Sequence, residues 1–348
     1  MKLIKTEDAE GSILCQDITQ IIKDRFKGPV FRKGHIVTAE DIPVLLSVGK
    51  EHLYVWEKKE GILHEDEGAV ILRDLAQNKY MSASEAKEGK IDLIAECGGL
   101  FKVNSEALLF LNGTPDVMMA TRHGNTPVKK GDKLCGTRII PLAIEEKKML
   151  DLKTDVLRIT GGEPILKLLP YTHKKVGIVT TGSEVFKGRI QDTFTPVIYD
   201  KLSEFDTEVI GQKICDDDDK MTTEAIQAFL SDGADLVICT GGMSVDPDDR
   251  TPLAIKNTGA EVVTYGSPVL PGAMFMLAYR RGEDKDKDRC ILGLPGCVMY
   301  ACRTVFDLML PRIMADDVIT KKEIAALGEG GLCLGCSSCT FPNCGFGK

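Results

Sequence analysis

From Lys174 onward the sequence repeats one unit: an apolar run, a short loop, then an amphipathic segment. No other feature of the 348-residue chain restricts its possible folds as much. Val176–Thr180 is largely apolar, as a strand buried on both faces must be. Phe194, Val197, Ile198, Leu202 and Phe205 then recur at helical spacing. Glu208–Ile214 reads as the next strand and Met221–Asp232 as the next helix, closed by Gly233. Asp235–Thr240 and Thr251–Thr258, closed by Gly259, repeat the pattern. Glu261–Tyr265 and Ile291–Leu294 are further strands, and Val298–Leu310 a last helix before Pro311. Strands and helices alternating in this way predict an α/β fold with a doubly wound, mostly parallel sheet over 174–316.

Residues 1–155 follow no such period and read as a β-rich N-terminal domain. Short alternating runs are broken by glycine turns at 28–34, at Cys97-Gly98-Gly99, at Asn112-Gly113 and at Lys129–Asp132. Leu108–Leu111 and Arg138–Leu142 fit strands. Ala39–Gly49 and Ser82–Gly89 look helical. Ala143–Leu152 is charged and marks a boundary, as a helix or a tether.

Composition narrows the function class. With 43% hydrophobic and 28% charged residues the chain is globular. A net charge of −8 argues against a nucleic-acid or anionic-membrane partner. No run reaches the ~18–20 apolar residues of a membrane helix, and the first ten residues lack the apolar stretch of a signal peptide. The expectation is a cytoplasmic enzyme or ligand-binding protein.

In a doubly wound sheet, ligands bind outside the carboxyl ends of the strands. There the sequence sets Thr180-Thr181-Gly182-Ser183-Glu184, the acidic run Asp216–Asp219, Gly241-Gly242-Met243-Ser244 through Asp249, and Pro295-Gly296-Cys297. Glycines let backbone N–H groups approach phosphate oxygens, and helix N-termini favour the negative charge. Carboxylates beside phosphates call for a divalent cation such as Mg²⁺ between them. The rim therefore predicts a phosphorylated ligand with a cation.

These segments, with Asp192, Pro271-Gly272 and Leu294-Pro295-Gly296, resemble the molybdopterin-binding domain shared by molybdopterin molybdotransferases and adenylyltransferases, in order and spacing over about 175–315. Lys129–Pro141 is the stretch of the first half most similar to the β-rich regions that precede this domain in molybdotransferases. The resemblance implies molybdopterin across the rim, bound by Thr181, Gly182, Ser183, Gly241, Gly242, Met243, Ser244, Pro295 and Gly296. It implies that Glu184, Asp249 and the first residue of an Asp-Asp pair hold metal or molybdate. Ungapped counting assigns that residue to Asp218, with Asp217 as the alternative. Asp192 would lie near the pterin or the catalytic centre. The implied activity is insertion of molybdate into molybdopterin by a homodimer, for delivery to a molybdoenzyme or its maturation partner. The chain departs from the family at Asp246, where a glycine is usual, at Cys297-Val298 in place of Asn-Pro, and in lacking an Asp-Gly-Tyr-Ala segment. The resemblance therefore carries binding further than turnover. Two other readings follow from the same residues: a non-catalytic cofactor carrier or sensor, and a Mg-dependent nucleotide pyrophosphate hydrolase.

Twelve cysteines are present, and four of them, Cys333, Cys336, Cys339 and Cys344, crowd the segment 330–348. Four thiolates so close suit a tetrahedral Zn²⁺ or an iron–sulfur cluster, and metal binding would order a tail too short to fold alone. The other eight read as small buried hydrophobes, with Cys297 on a ligand loop. His35, His52, His64, His123 and His173 show no metal-ligand spacing; His123 alone is a candidate ligand contact. Trp56 reads as packing, and Arg280–Arg289 as a solvated hairpin tip.

Overall fold

The computed structural model describes residues 2–22, 25–55, 60–282 and 288–348. Two compact units emerge. The first comprises the chain up to Glu96 with Val103–Arg122 and Lys130–Leu168; the second comprises Cys97–Lys102, His123–Lys129 and Leu169–Lys348. Trp56 and residues 283–287 of the expected hairpin tip lie outside the described residues.

The second unit is built on a six-stranded sheet. Its strands are β1 (Lys174–Thr181), β2 (Thr207–Cys215), β3 (Leu236–Thr240), β4 (Glu261–Tyr265), β5 (Met276–Arg280) and β6 (Arg289–Leu294). Their spatial order is β2-β1-β3-β6-β5-β4. Pairing is parallel from β2 through β6 and antiparallel on both sides of β5. The sheet is thus mostly parallel, with β5 the reversed strand that the sequence reading missed.

Side-chain alternation explains why it is wound on both faces. Val176, Ile178, Leu236, Ile238, Leu277, Leu292 and Leu294 point to one core. Val179, Val237, Cys239, Met276, Ala278 and Ile291 point to the other. Helices α2 (Phe194–Leu202) and α5 (Val305–Met314) cover the first face, and α3 (Asp219–Ser231) and α4 (Thr251–Asn257) the second. A short turn, α1 (Ser183–Phe186), precedes α2, and α6 (Lys321–Ala326) follows α5. A Cβ on Gly177 would fall 2.4 Å from Phe229 Cγ, so glycine there lets α3 lie against β1.

Pro311 does not end α5. That helix begins later than expected, at Val305, because Thr304 and Asp307 form a capping box, and Pro311 lies inside it. The chain between β6 and Thr304 is a 3₁₀ turn at Gly296–Met299 and irregular backbone.

The first unit has a four-stranded antiparallel sheet of Met81–Ala83, Lys90–Ala95, Lys133–Ile139 and Val117–Thr121. It also contains helices at Asp41–Ser47, Glu65–Ala76, Ser105–Gly113 and Glu146–Thr160. A separate small core gathers Leu14, Ile18, Val37, Leu45 and Leu53. Ser82–Gly89 is not a helix: Glu88 and Gly89 both take positive φ between the paired Lys87 and Lys90, a hairpin turn. Leu108–Leu111 is not a strand, because the Asn104 side chain caps a helix through Ala107 N and turns only Ala107 and Leu111 inward. The charged stretch after Ala143 resolves as a helix whose Met149, Leu152 and Val156 are buried and which ends at left-handed Gly161. Among the described residues no helix is long and apolar enough to cross a membrane.

Candidate functional site

The loops leaving β1, β2 and β3 are tied to one another by specific bonds. Thr181 is buried, donates to the Thr240 carbonyl at 3.2 Å, and lies 3.0 Å from the Thr251 hydroxyl. Gly241 and Gly242 pack on the same threonine. A Cβ on Gly241 would stand 2.2 Å from the Thr181 carbonyl oxygen, and both residues have positive φ. Gly-Gly is therefore a steric requirement of the close approach between the β1 and β3 loops. Gly182 N donates to the Cys215 carbonyl, joining the β2 loop to the group.

Two backbone N–H groups at this edge already hold carboxylates. Ser183 N donates to Asp217 Oδ2 at 2.9 Å, and Ser244 N to Asp249 Oδ2 at 2.7 Å. Both Asp217 and Asp249 are half-buried, while Glu184 and Ser244 are exposed. Tyr265 donates its hydroxyl to the Met243 carbonyl at 2.9 Å, and burial together with the Asp249 charge pushes its pKa up. Met243 itself is buried against Gly293, so it faces this edge with its backbone. Past β6, Pro295 is buried, and Gly296 has open space where a Cβ would project.

The acidic run divides its work. Asp216 accepts from Asp217 N and pairs with Lys187 at 3.5 Å. Asp218 caps α3 by accepting from Met221 N at 2.8 Å. Asp219 holds Arg250 at 2.9 Å and Asn257 at 3.2 Å, linking α3 to α4. Of the Asp-Asp pair, it is Asp217 that reaches the Ser183 loop.

Asp192 is engaged on both oxygens. Oδ1 accepts from Phe194 N and Thr195 N at 2.9 and 3.1 Å. Oδ2 accepts from the Thr195 hydroxyl at 2.5 Å, Gln212 Nε2 at 2.6 Å and the Thr180 hydroxyl at 3.2 Å. Burial works to raise its pKa, but the Thr195 hydroxyl and N–H, the Phe194 N–H and Gln212 outweigh it and hold the carboxyl below its ordinary value. Five donors fill the roughly four lone-pair sites of a carboxylate. In this arrangement Asp192 fixes the start of α2 to β1 and β2. Its partner Gln212 carries no sequence signal that would single it out.

The cysteine tail folds back on the second unit. Leu270 N donates to Gly331 O and Cys333 N to Leu270 O, both at 2.8 Å, and Phe346 is 5% exposed in the core. Cys302, which reads as one more scattered thiol in sequence, lines the same cavity as Cys339. The neighbouring Cys339 thiol is the first cause raising the Cys302 pKa. Cys339 is lowered, first by the Phe341 N–H and further by Cys302 and Arg303, against desolvation.

Contrary to the sequence spacing, the ligand atoms of His64, Glu65 and Asp66 lie within 4.8 Å of one another. Lys33 already supplies a cation there, 3.1 Å from His64 Nδ1 and 2.5 Å from Asp66, and His64 Nε2 is 3.0 Å from the Cys15 carbonyl oxygen. His64 caps the helix at Glu65–Ala76. The exposed His123 ring lies 3.4 Å from the Gly124 carbonyl of its own turn, a contact that gives no sign of a ligand role.

Residues 177–315 match the family described as "Probable molybdopterin binding domain", and residues 3–57 match a family described as a domain of unknown function. The molybdopterin-binding resemblance is borne out for that C-terminal segment. A CinA-like protein of Mycobacterium avium (strain 104) is 42% identical over 78 residues, 22% of this chain and 18% of that protein. The CinA-like protein of Mycobacterium tuberculosis (strain CDC 1551 / Oshkosh) is 34% identical over 90 residues, 26% of this chain and 21% of that protein. The chain thus spans about a fifth of the length of these curated relatives. Among solved structures, the molybdopterin biosynthesis enzyme MoaB of Thermus thermophilus is 22% identical with a TM-score of 0.33, over 42% of this chain and 98% of that one. CinA of Thermoplasma acidophilum is 18% identical with a TM-score of 0.29, over 35% of this chain and 89% of that one.

Proposed function

We propose that the molybdopterin-binding domain over residues 177–315 holds molybdopterin along the carboxyl ends of β1, β3 and β6, and serves molybdenum-cofactor assembly by molybdotransferase-like insertion of molybdate. The observation that carries this reading is the pair of loop N–H groups, Ser183 and Ser244, each holding a carboxylate at the end of adjacent strands. N–H groups so oriented stabilise anions, and a phosphate oxygen suits either place once the carboxylate turns to a cation. The open space at Gly296 admits a planar ring close to the backbone. The residues present therefore fit a pterin phosphate.

On this reading Thr181, Gly182 and Ser183 form one wall. Gly241, Gly242, Met243 and Ser244 form the floor, with Met243 contributing its backbone, and Pro295 and Gly296 close the far side. Glu184, Asp249 and one of Asp217 and Asp218 hold Mg²⁺, and we favour Asp217 because it reaches the Ser183 loop while Asp218 caps α3. Magnesium when bound neutralises phosphate charge and polarises a phosphoanhydride. Asp192 acts as a positioning residue that fixes β1, β2 and α2. Cys333, Cys336, Cys339 and Cys344 bind zinc or an iron–sulfur cluster. A homodimer and a recipient molybdoenzyme, or its maturation partner, complete the reading.

The test supplies purified protein with molybdopterin, Mg²⁺ and molybdate and measures molybdenum bound to pterin. Insertion by the wild-type chain, lost in Glu184→Ala and Asp249→Ala, is the expected result. Pterin binding without insertion, together with delivery that is lost on removing residues 330–348, replaces the transferase with a carrier. Absence of pterin binding with Mg-dependent cleavage of nucleotide pyrophosphates replaces both with a hydrolase.

A further inference from the structure

We propose that Cys302 joins the four tail cysteines around one cavity and that this cavity takes an iron–sulfur cluster. The inference rests on the reading that the tail binds metal, and it specifies both the metal class and a ligand outside the tail.

A cavity of about 230 Å³ is lined by Cys302, Cys333, Cys336, Cys339 and Cys344, with Arg303 on its wall. Backbone bonds hold its walls in place, since Cys333 N reaches Leu270 O at 2.8 Å and Gly347 N reaches Gly330 O at 2.9 Å. A single ion needs far less room, because even a water requires only ~10–15 Å³ of such space. Zinc bound by thiolates at ~2.3 Å draws its sulfurs to about 3.8 Å from one another. Among the described residues no three of these sulfurs lie within 4.8 Å of one another. A cluster of several irons and sulfides fills more room than one ion, and four of the five thiolates suffice to hold it.

The charge on the wall points the same way. Arg303 is fixed by Asp307 at 2.8 Å and by the Phe341 ring at 4.9 Å from its centroid. Its Nε is buried with no hydrogen-bond partner. Held in this way on the cavity wall, the guanidinium offers a fixed positive charge to an anionic occupant. Cys302 belongs to the body of the domain. It is on the loop that leaves β6 through Pro295 and Gly296, so a cluster bound there is joined by a few residues of backbone to the proposed pterin rim.

The full chain, isolated without oxygen, is incubated with ferrous salt and sulfide in one arm and with a zinc salt alone in another. Bound metal, acid-labile sulfide and the EPR signal after dithionite reduction are measured, with pterin content determined on the same samples. Iron and labile sulfide in near-equal amounts, ~2–4 of each per chain, are expected. Cys302→Ser and Cys339→Ser should each lose most of the sulfide or change the EPR signal while still binding pterin. Thiol-bound zinc with no sulfide incorporated in the iron arm overturns the cluster. A Cys302→Ser protein with wild-type iron, sulfide and EPR signal overturns Cys302 as one of the cluster's ligands. Loss of pterin with an intact cluster sinks the proposed function and leaves this inference standing.

Discussion

Gly241→Ala separates the steric demand of the rim from the ordinary cost of a left-handed residue. Gly241 has φ +84, where an L-residue costs about 1–2 kcal/mol. Its new methyl would also stand 2.2 Å from the Thr181 carbonyl oxygen and 2.9 Å from the Thr181 hydroxyl. The first of these atoms is backbone and cannot rotate away, so overpacking adds about 1–3 kcal/mol. Gly233→Ala is the control: its φ is +87 and nothing lies within 4 Å of the added carbon. Urea unfolding should therefore show Gly241→Ala less stable than Gly233→Ala by ~1–3 kcal/mol at equal m-values. Pterin binding should weaken in Gly241→Ala alone, because the β1 and β3 loops are forced apart. Two variants equal within about 0.5 kcal/mol, a range ordinary for uninvolved positions, would refute the close approach.

Three further outcomes follow from local physics. Glu65 is 5% exposed, and burial first, then the Asp66 charge, pushes its carboxyl up to about 7. The folded state then binds more protons than the unfolded one between its ordinary value of 4.5 and about 7, so stability falls as pH rises through that window, by up to ~3 kcal/mol. Glu65→Gln should flatten the fall in urea melts between about pH 5 and 8; a wild-type profile without it would contradict the assignment. Asp218→Ala should cost ~1 kcal/mol as a lost cap and leave Mg-dependent pterin binding intact, whereas Asp217→Ala should weaken that binding; melts and Mg²⁺ titrations that show the reverse would restore Asp218 to the rim. Gly177→Ala should cost ~1–3 kcal/mol in thermal or urea unfolding because its methyl meets Phe229 Cγ at 2.4 Å, and a neutral result would mean α3 shifts freely.

The fold was legible where burial on both faces erases alternation. Val176–Thr180 and Asp235–Thr240 read as strands because they are apolar throughout, and β1 and β3 are buried along nearly their whole length. The first unit was harder, since its elements are set by single residues. Asn104 turns an apolar run into a helix, and Glu88-Gly89 turns an apparent helix into a hairpin. Strand β5 follows Pro271-Gly272 without the strand–loop–helix rhythm, so the reversed strand carries no periodic signal in the sequence. At the rim the loops were visible as glycine, hydroxyl and carboxylate clusters. Their internal assignments were not, because only folding shows that Asp217 reaches Ser183, that Gln212 joins Asp192, or that Arg250 holds Asp219. Cys302 is the sharpest case. Nothing in its spacing joins it to Cys339; the return of the tail to Leu270 does.

The claim that matters most is that the rim holds a pterin phosphate. Purifying the full chain without oxygen from a cofactor-producing host, then oxidising it and measuring fluorescent pterin against protein, tests it directly. Near-stoichiometric pterin, released from wild type and lost in Gly241→Ala, is the result this account predicts. No pterin on the isolated chain, and none taken up when molybdopterin is supplied with Mg²⁺, would contradict it.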